Sequence, residues 1–164
     1  MVWAGSFDSV DNRLVTAADD GSVRIWKVDT GEELVMLHEH HGPVWAVSFS
    51  PGDGKQVLSG SSDSTLKICD SSTEDSEQVR TFEGHDSMIN SATFSPDGRF
   101  VASASSDNTV RLWRRSDGTN VKTFNEHNDK VTLAAFSPNG AMLASGSDDG
   151  TVRIRVLRDF VDLD

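Results

Sequence analysis

Three histidines in this chain, His40, His85 and His127, are each followed downstream by a serine and then an aspartate: Ser59 and Asp63, Ser103 and Asp107, Ser145 and Asp149. Serine, histidine and aspartate are the residue types of a nucleophile, its general base and the carboxylate that orients the base, a set suited to acyl transfer. Here the set recurs in three successive sequence units, and in one of them it ends in a tryptophan, Trp113. Catalytic groups seldom come as evenly spaced multiples, so the recurrence reads as structural. The second chemical candidate is His38-Glu39-His40-His41, the most metal-like cluster in the chain. His40 already belongs to the repeating set, and no cysteine or carboxylate completes a repeated ligand set, so no metal site is expected. A nucleophile elbow and a phosphate-binding glycine loop are both missing. The expectation is a protein with no catalytic residue, no metal and no cofactor.

The elements that would position these residues form an internal repeat. Asp107-Asn108-Thr109-Val110-Arg111-Leu112-Trp113 has near copies in Asp20 to Trp26, Asp63 to Cys69 and Asp149 to Arg155. The lead aspartates, at 20, 63, 107 and 149, are separated by 43, 44 and 42 residues. A period of this size marks a repeat architecture. Each copy is a turn rich in Ser, Asp, Asn and Gly followed by alternating apolar residues, the pattern of a tight turn feeding a strand. Upstream stand Phe49, Phe94 and Phe136, and more weakly Phe7; the first three run into Ser-Pro turn signals such as Ser95-Pro96-Asp97-Gly98. Four residues before each lead aspartate is a hydroxyl: Thr16, Ser59, Ser103 or Ser145.

Gly84-His85, the Phe94 to Gly98 turn, Ser103, Asp107 and Leu112-Trp113 together resemble a repeat of the WD-repeat β-propeller family, with Arg114 where the family name expects Asp. The resemblance covers nearly the whole chain. It implies an all-β fold of four blades, each of four antiparallel strands, standing radially around a channel. It also implies a hydrogen-bonded chain in each blade, in the order histidine, lead aspartate, hydroxyl, indole: His85, Asp107, Ser103 and Trp113 in the third. Imidazole, hydroxyl and indole would supply the donors that a buried carboxylate needs. The second unit (His40, Ser59, Asp63) has Cys69 at the tryptophan position, and the fourth (His127, Ser145, Asp149) has Arg155 there. The first has Thr16, Asp20 and Trp26 but no upstream histidine. Those three networks are expected to be incomplete.

The blades are expected at about residues 1–37, 38–82, 83–124 and 125–164 of one domain. In the first, Val2 to Phe7, Arg13 to Ala18, Val23 to Val28 and Glu33 to Leu37 should be strands, with Asp11 loosening the first hairpin where glycine is usual. Ser71 to Glu77 reads as an acidic loop before an outer strand, Gln78 to Phe82. Val156 to Asp164 is short for a last outer strand; Phe160, Val161 and Leu163 would form a truncated strand or a docked tail. About seven or eight blades make a ring of this type, so four leave two faces uncovered. A homodimer closing an eight-bladed ring is the favoured solution; the alternatives are missing blades of a longer protein and a strongly curved four-bladed ring.

The net charge of −11 argues against nucleic acid and anionic membrane as non-specific partners. One cysteine, Cys69, rules out a disulfide within the chain and fits a reducing, cytoplasmic compartment. No stretch approaches 18 apolar residues. The resemblance implies a rigid platform for a protein or peptide ligand. By register its rim would include Trp3, Trp45, Asn90 and Thr132 on the inner strands. Beside them would lie Pro43, Met88 and Lys130, and the turn residues Asp19, Ser62, Ser106 and Asp148. A carbohydrate or small-molecule propeller, or a purely structural module, is the alternative; four tryptophans and no tyrosine make a thin aromatic supply for sugars.

Overall fold

The computed structural model describes residues 1–72, 80–158 and 160. Every helix or strand among them is a strand, and the strands form four separate antiparallel meanders. The first sheet is β1 (Val2–Phe7), β2 (Arg13–Ala18), β3 (Val23–Lys27) and β4 (Glu33–Leu37). The second is β5 (Val44–Phe49), β6 (Gln56–Ser61), β7 (Leu66–Asp70) and β8 (Arg80–Phe82). The third is β9 (Ile89–Phe94), β10 (Phe100–Ser105), β11 (Val110–Arg114) and β12 (Asn120–Phe124). The fourth is β13 (Val131–Phe136), β14 (Met142–Ser147) and β15 (Val152–Val156). It thus has three strands among the described residues, where four were expected. Phe160 sits edge-on to Phe124 of the third sheet, centroids 5.6 Å apart, as a docked residue. Val161 and Leu163 lie outside the described residues, as do Gln78, Val79 and most of the acidic loop before them.

The sheets stack in chain order through their first strands, β1 on β5, β5 on β9 and β9 on β13. Side chains alternate along each strand, so each sheet gives one face to the sheet before it and the other to the sheet after. In β6, Val57 joins the first sheet's core with Val15, Val23 and Ile25, while the adjacent Leu58 joins Ile89, Phe94 and Trp113 of the third. The third sheet's Ala102, Val110 and Leu112 close on Val131, Ala134 and Leu143 of the fourth. Burying one such aliphatic side chain is worth about 1.5–3 kcal/mol.

The pattern stops at both ends. Val23, Leu66 and Val110 are no more than 3% exposed, but their counterpart Val152 is 70% exposed and Ile154 is 68% exposed. At the other end Val2 is 62% and Phe7 56% exposed, against 0% and 7% for Val44 and Phe49.

The first hairpin turns on Asp11, which takes the left-handed conformation (φ 56°) that glycine holds at Gly98 and Gly140. Its amide reaches the Asp8 carbonyl at 3.3 Å, against 2.8 Å for the Gly98 amide on Ser95, so the turn is slightly looser. The Asp8 carboxylate compensates by accepting from the amides of Asn12 and Arg13 and from the Arg13 guanidinium.

Candidate functional site

The first strand of every sheet carries a β-bulge at its second residue. Pairing passes from Val2 to Ala4, from Val44 to Ala46, from Ile89 to Ser91 and from Val131 to Leu133, and skips Trp3, Trp45, Asn90 and Thr132. A bulge leaves one residue out of the ladder and re-aims its side chain. These four are the inner-strand positions singled out from the repeat register. The turn residues beside them bond the preceding loops in the same way in each sheet. The amides of Asp19, Ser62, Ser106 and Asp148 donate to the carbonyls of Met1, Pro43, Met88 and Lys130 at 2.8 to 3.1 Å.

The rim side chains are held differently from sheet to sheet. Trp3 packs against Trp45 with centroids 4.5 Å apart and the rings tilted by 41°, and its indole N–H donates to Asp19. The Asn90 amide donates to Ser106 Oγ at 3.0 Å and to the Val131 carbonyl at 2.8 Å, crossing to the fourth sheet. The Lys130 ammonium pairs with Asp148 at 3.0 Å. Trp45, Met88, Asn90, Ser106, Lys130 and Thr132 together line an open pocket of about 340 Å³. The Trp45 indole N–H has no acceptor among the described residues.

Behind the rim lies the His–Ser–Asp set. In the third sheet Asp107 Oδ2 is 2.7 Å from His85 Nδ1, and Ser103 Oγ is 2.7 Å from His85 Nε2. The Trp113 indole donates to Ser103 Oγ at 2.8 Å. The order along the chain of bonds is therefore aspartate, histidine, hydroxyl, indole, which differs from the expected order because the imidazole spans the gap between carboxylate and hydroxyl. Every proton has an acceptor when the imidazole is neutral with its proton on Nδ1: indole to hydroxyl, hydroxyl to Nε2, Nδ1–H to carboxylate. That connectivity is the same as in an acyl-transfer triad. Ser103, however, is 0% exposed, and its oxygen already accepts the indole proton, so no face is open to a carbonyl carbon.

The second sheet repeats this with His40, Asp63 (2.9 Å) and Ser59 (2.8 Å); Cys69 adds no donor there, so this network stops at the serine. The fourth repeats it with His127, Asp149 (3.0 Å) and Ser145 (2.8 Å). Here the expectation of an incomplete network is corrected. Arg155 Nη1 donates to Ser145 Oγ at 2.8 Å, in the place of the indole. In the first sheet Trp26 donates to Thr16 at 2.8 Å, while Asp20 turns to the amide and hydroxyl of Ser22. The histidine-free network is thus split into two halves.

In the third and fourth sheets the residue before the histidine lies against the residue at the tryptophan position. Gly84 has φ 144°, and a Cβ there would meet Arg111 Nη1 at 2.5 Å and the Trp113 ring at 3.4 Å. The left-handed φ favours glycine, and a Cβ would displace the Arg111 guanidinium while only touching the indole. Glu126 instead binds Arg155, accepting from Nε at 2.8 Å.

Six further residues belong to this apparatus and were not picked out from sequence. Thr65, Thr109 and Thr151 donate to the lead carboxylates at 2.6 to 2.7 Å. Ser61, Ser105 and Ser147 accept from the lead-aspartate amides and donate to loop carbonyls. Their recurrence two residues to either side of Asp63, Asp107 and Asp149 is the available signal.

The carboxylates are ionised by design of their surroundings. Burial acts to raise the Asp63 carboxyl, but the Thr65 hydroxyl and the amides of His41 and Thr65 outweigh it and hold it at about 2. At Asp107 burial is likewise outweighed, by His85 and Thr109, and at Asp149 the Thr151 hydroxyl and Asn128 amide pull the carboxyl well below its usual range. Burial pushes the His40 imidazole down despite Asp63. The buried Cys69 thiol is pushed up to about 12, first by burial and then by Glu39. Of the metal-like cluster, His40 is committed to Asp63 and Ser59, and His38 and His41 are exposed.

The family model for the WD domain, G-beta repeat, matches residues 2–27, 31–70, 76–114 and 118–155. The chain belongs to the WD-repeat family. Among its relatives, "WD repeat and HMG-box DNA-binding protein 1" of Homo sapiens is 38% identical over 107 residues, 65% of this chain and 9% of that protein. "Guanine nucleotide-binding protein subunit beta" of Oryza sativa subsp. japonica is 32% identical over 108 residues, 63% of this chain and 28% of that protein. "Serine-threonine kinase receptor-associated protein" of Gallus gallus is 36% identical over 115 residues, 70% of this chain and 32% of that protein. The chain spans less than a third of the length of each of these relatives.

Proposed function

We propose that this chain is a non-catalytic platform for a protein or peptide ligand, docked on the rim where the bulged side chains project. The observation that carries the reading is the pocket lined by Trp45, Met88, Asn90, Ser106, Lys130 and Thr132. It combines an indole, a thioether, three short polar groups and an ammonium, a mixture in which a few anchors can carry most of the energy of an interface. The side chains around it vary from sheet to sheet while the bulge and the turn bonds behind them stay constant. Burial of all three serines supports the absence of catalysis. The net charge of −11 supports keeping nucleic acid and anionic membranes outside the ligand range; the HMG-box relative is matched over 9% of its length. A single, buried cysteine supports a reducing, cytoplasmic setting. The complete form in this reading is a ring assembled from two half-rings.

A random peptide array probed with the labelled protein, beside a glycan array, tests the reading. Selected peptides should bind, and Trp45→Ala should weaken them at least about tenfold, as expected for an aromatic anchor. Binding to glycans with no peptide retained, or peptides indifferent to Trp45→Ala and Thr132→Asp, would overturn it.

A further inference from the structure

The two bare end faces are of opposite kind. At each internal interface the leading sheet offers the β3-type residues: Val23 and Ile25, Leu66 and Ile68, or Val110 and Leu112. The following sheet receives them on its first two strands, with Val44 and Val57, Ile89 and Val101, or Val131 and Leu143. Leading face always meets receiving face, never its own kind. The fourth sheet still presents a leading face, Val152 and Ile154, and the first still presents a receiving face, Val2, Phe7 and Leu14.

We propose that a second copy of this chain covers both, head to tail. Val152 and Ile154 of each copy pack on Val2, Phe7 and Leu14 of the other, forming two identical seams about a two-fold axis. The cover is this chain because the interface needed is the one it builds three times internally. The seams also complete the rim, since each brings Thr132 of one copy beside Trp3 of the other. This inference rests on the platform reading only for that last consequence. Two chains of net charge −11 repel, so added salt should tighten the pairing.

Sedimentation of two variants, alone and mixed, tests it. Ile154→Asp ruins the leading face and Phe7→Asp the receiving face. Each alone should lose pairing, with the dissociation constant raised at least about a hundredfold by burying an unpaired charge. Mixing them should restore a pair, because one seam then joins two intact faces. A wild-type monomer, or a Phe7→Asp protein that pairs as the wild type does, overturns the proposal. If either aspartate variant fails to fold by circular dichroism, Ile154→Cys and Phe7→Cys decide instead. Mixed, they should give a cross-linked heterodimer, with Cys69 buried and silent. Cross-linking of either cysteine variant only with itself overturns the head-to-tail seam. Peptide binding measured on the same variants separates the two readings: a paired protein that binds no peptide removes the platform and leaves the seam standing.

Discussion

Replacing Ser103 with alanine should be among the most costly single changes in this protein. Its hydroxyl is 0% exposed and sits between the Trp113 indole N–H at 2.8 Å and His85 Nε2 at 2.7 Å. Alanine leaves both groups buried without partners. Each orphaned group costs about 1–3 kcal/mol, so the total is about 2–6 kcal/mol. A domain has about 5–15 kcal/mol of stability in all. The molecule carries its own control. Ser59→Ala orphans only His40 Nε2, because Cys69 offers no donor, and should cost about 1–3 kcal/mol. Ser145→Ala should fall between them: it orphans His127 Nε2, but Arg155 keeps Glu126 as an acceptor. Urea unfolding of the three variants, followed by circular dichroism, gives the order directly from the midpoints if the slopes stay equal. Ser59→Ala costing as much as Ser103→Ala would refute the claim that the hydroxyl works by serving two buried partners.

Arg155→Trp should destabilise the fourth sheet, and Glu126→Gly made together with it should recover part of the loss. The pair then reproduces Gly84 and Trp113, and a double-mutant cycle checks the coupling; additive effects would contradict the matched-pair account. Stability should fall with acidification in two windows. His40 is held below its usual value, so the folded state binds fewer protons and stability is lost as pH drops below about 6.5. The Asp63 contribution is present above about 3.8 and is lost as pH approaches about 2. Urea midpoints from about pH 2 to about pH 8 test this, and midpoints rising toward low pH would contradict it.

The strands were legible because their signals are local. Asp20-Gly21-Ser22 and its copies mark turns, and apolar alternation marks the strands that follow. The rim positions were legible from register, but the bulges that project them were not. A bulge is an offset between two strands, and nothing in Trp3 or Thr132 alone announces it. The order of the bonded network was misread because only the placement of His85 between Asp107 and Ser103 decides it. Arg155 read as a loss, since guanidinium and indole are unlike in shape; as donors to a serine they are equivalent, and Glu126 beside His127 was the clue. Val152 and Ile154 look like any other core strand in sequence. Their exposure depends on what packs on the sheet, which no local pattern records.

On our proposal, the end faces of these four sheets are covered by a second copy of the chain. Multi-angle light scattering of the purified chain measures it most directly. A mass of twice the 17.8 kDa chain, held across a tenfold dilution at moderate salt, is the predicted result. A sharp peak at the single-chain mass would contradict it.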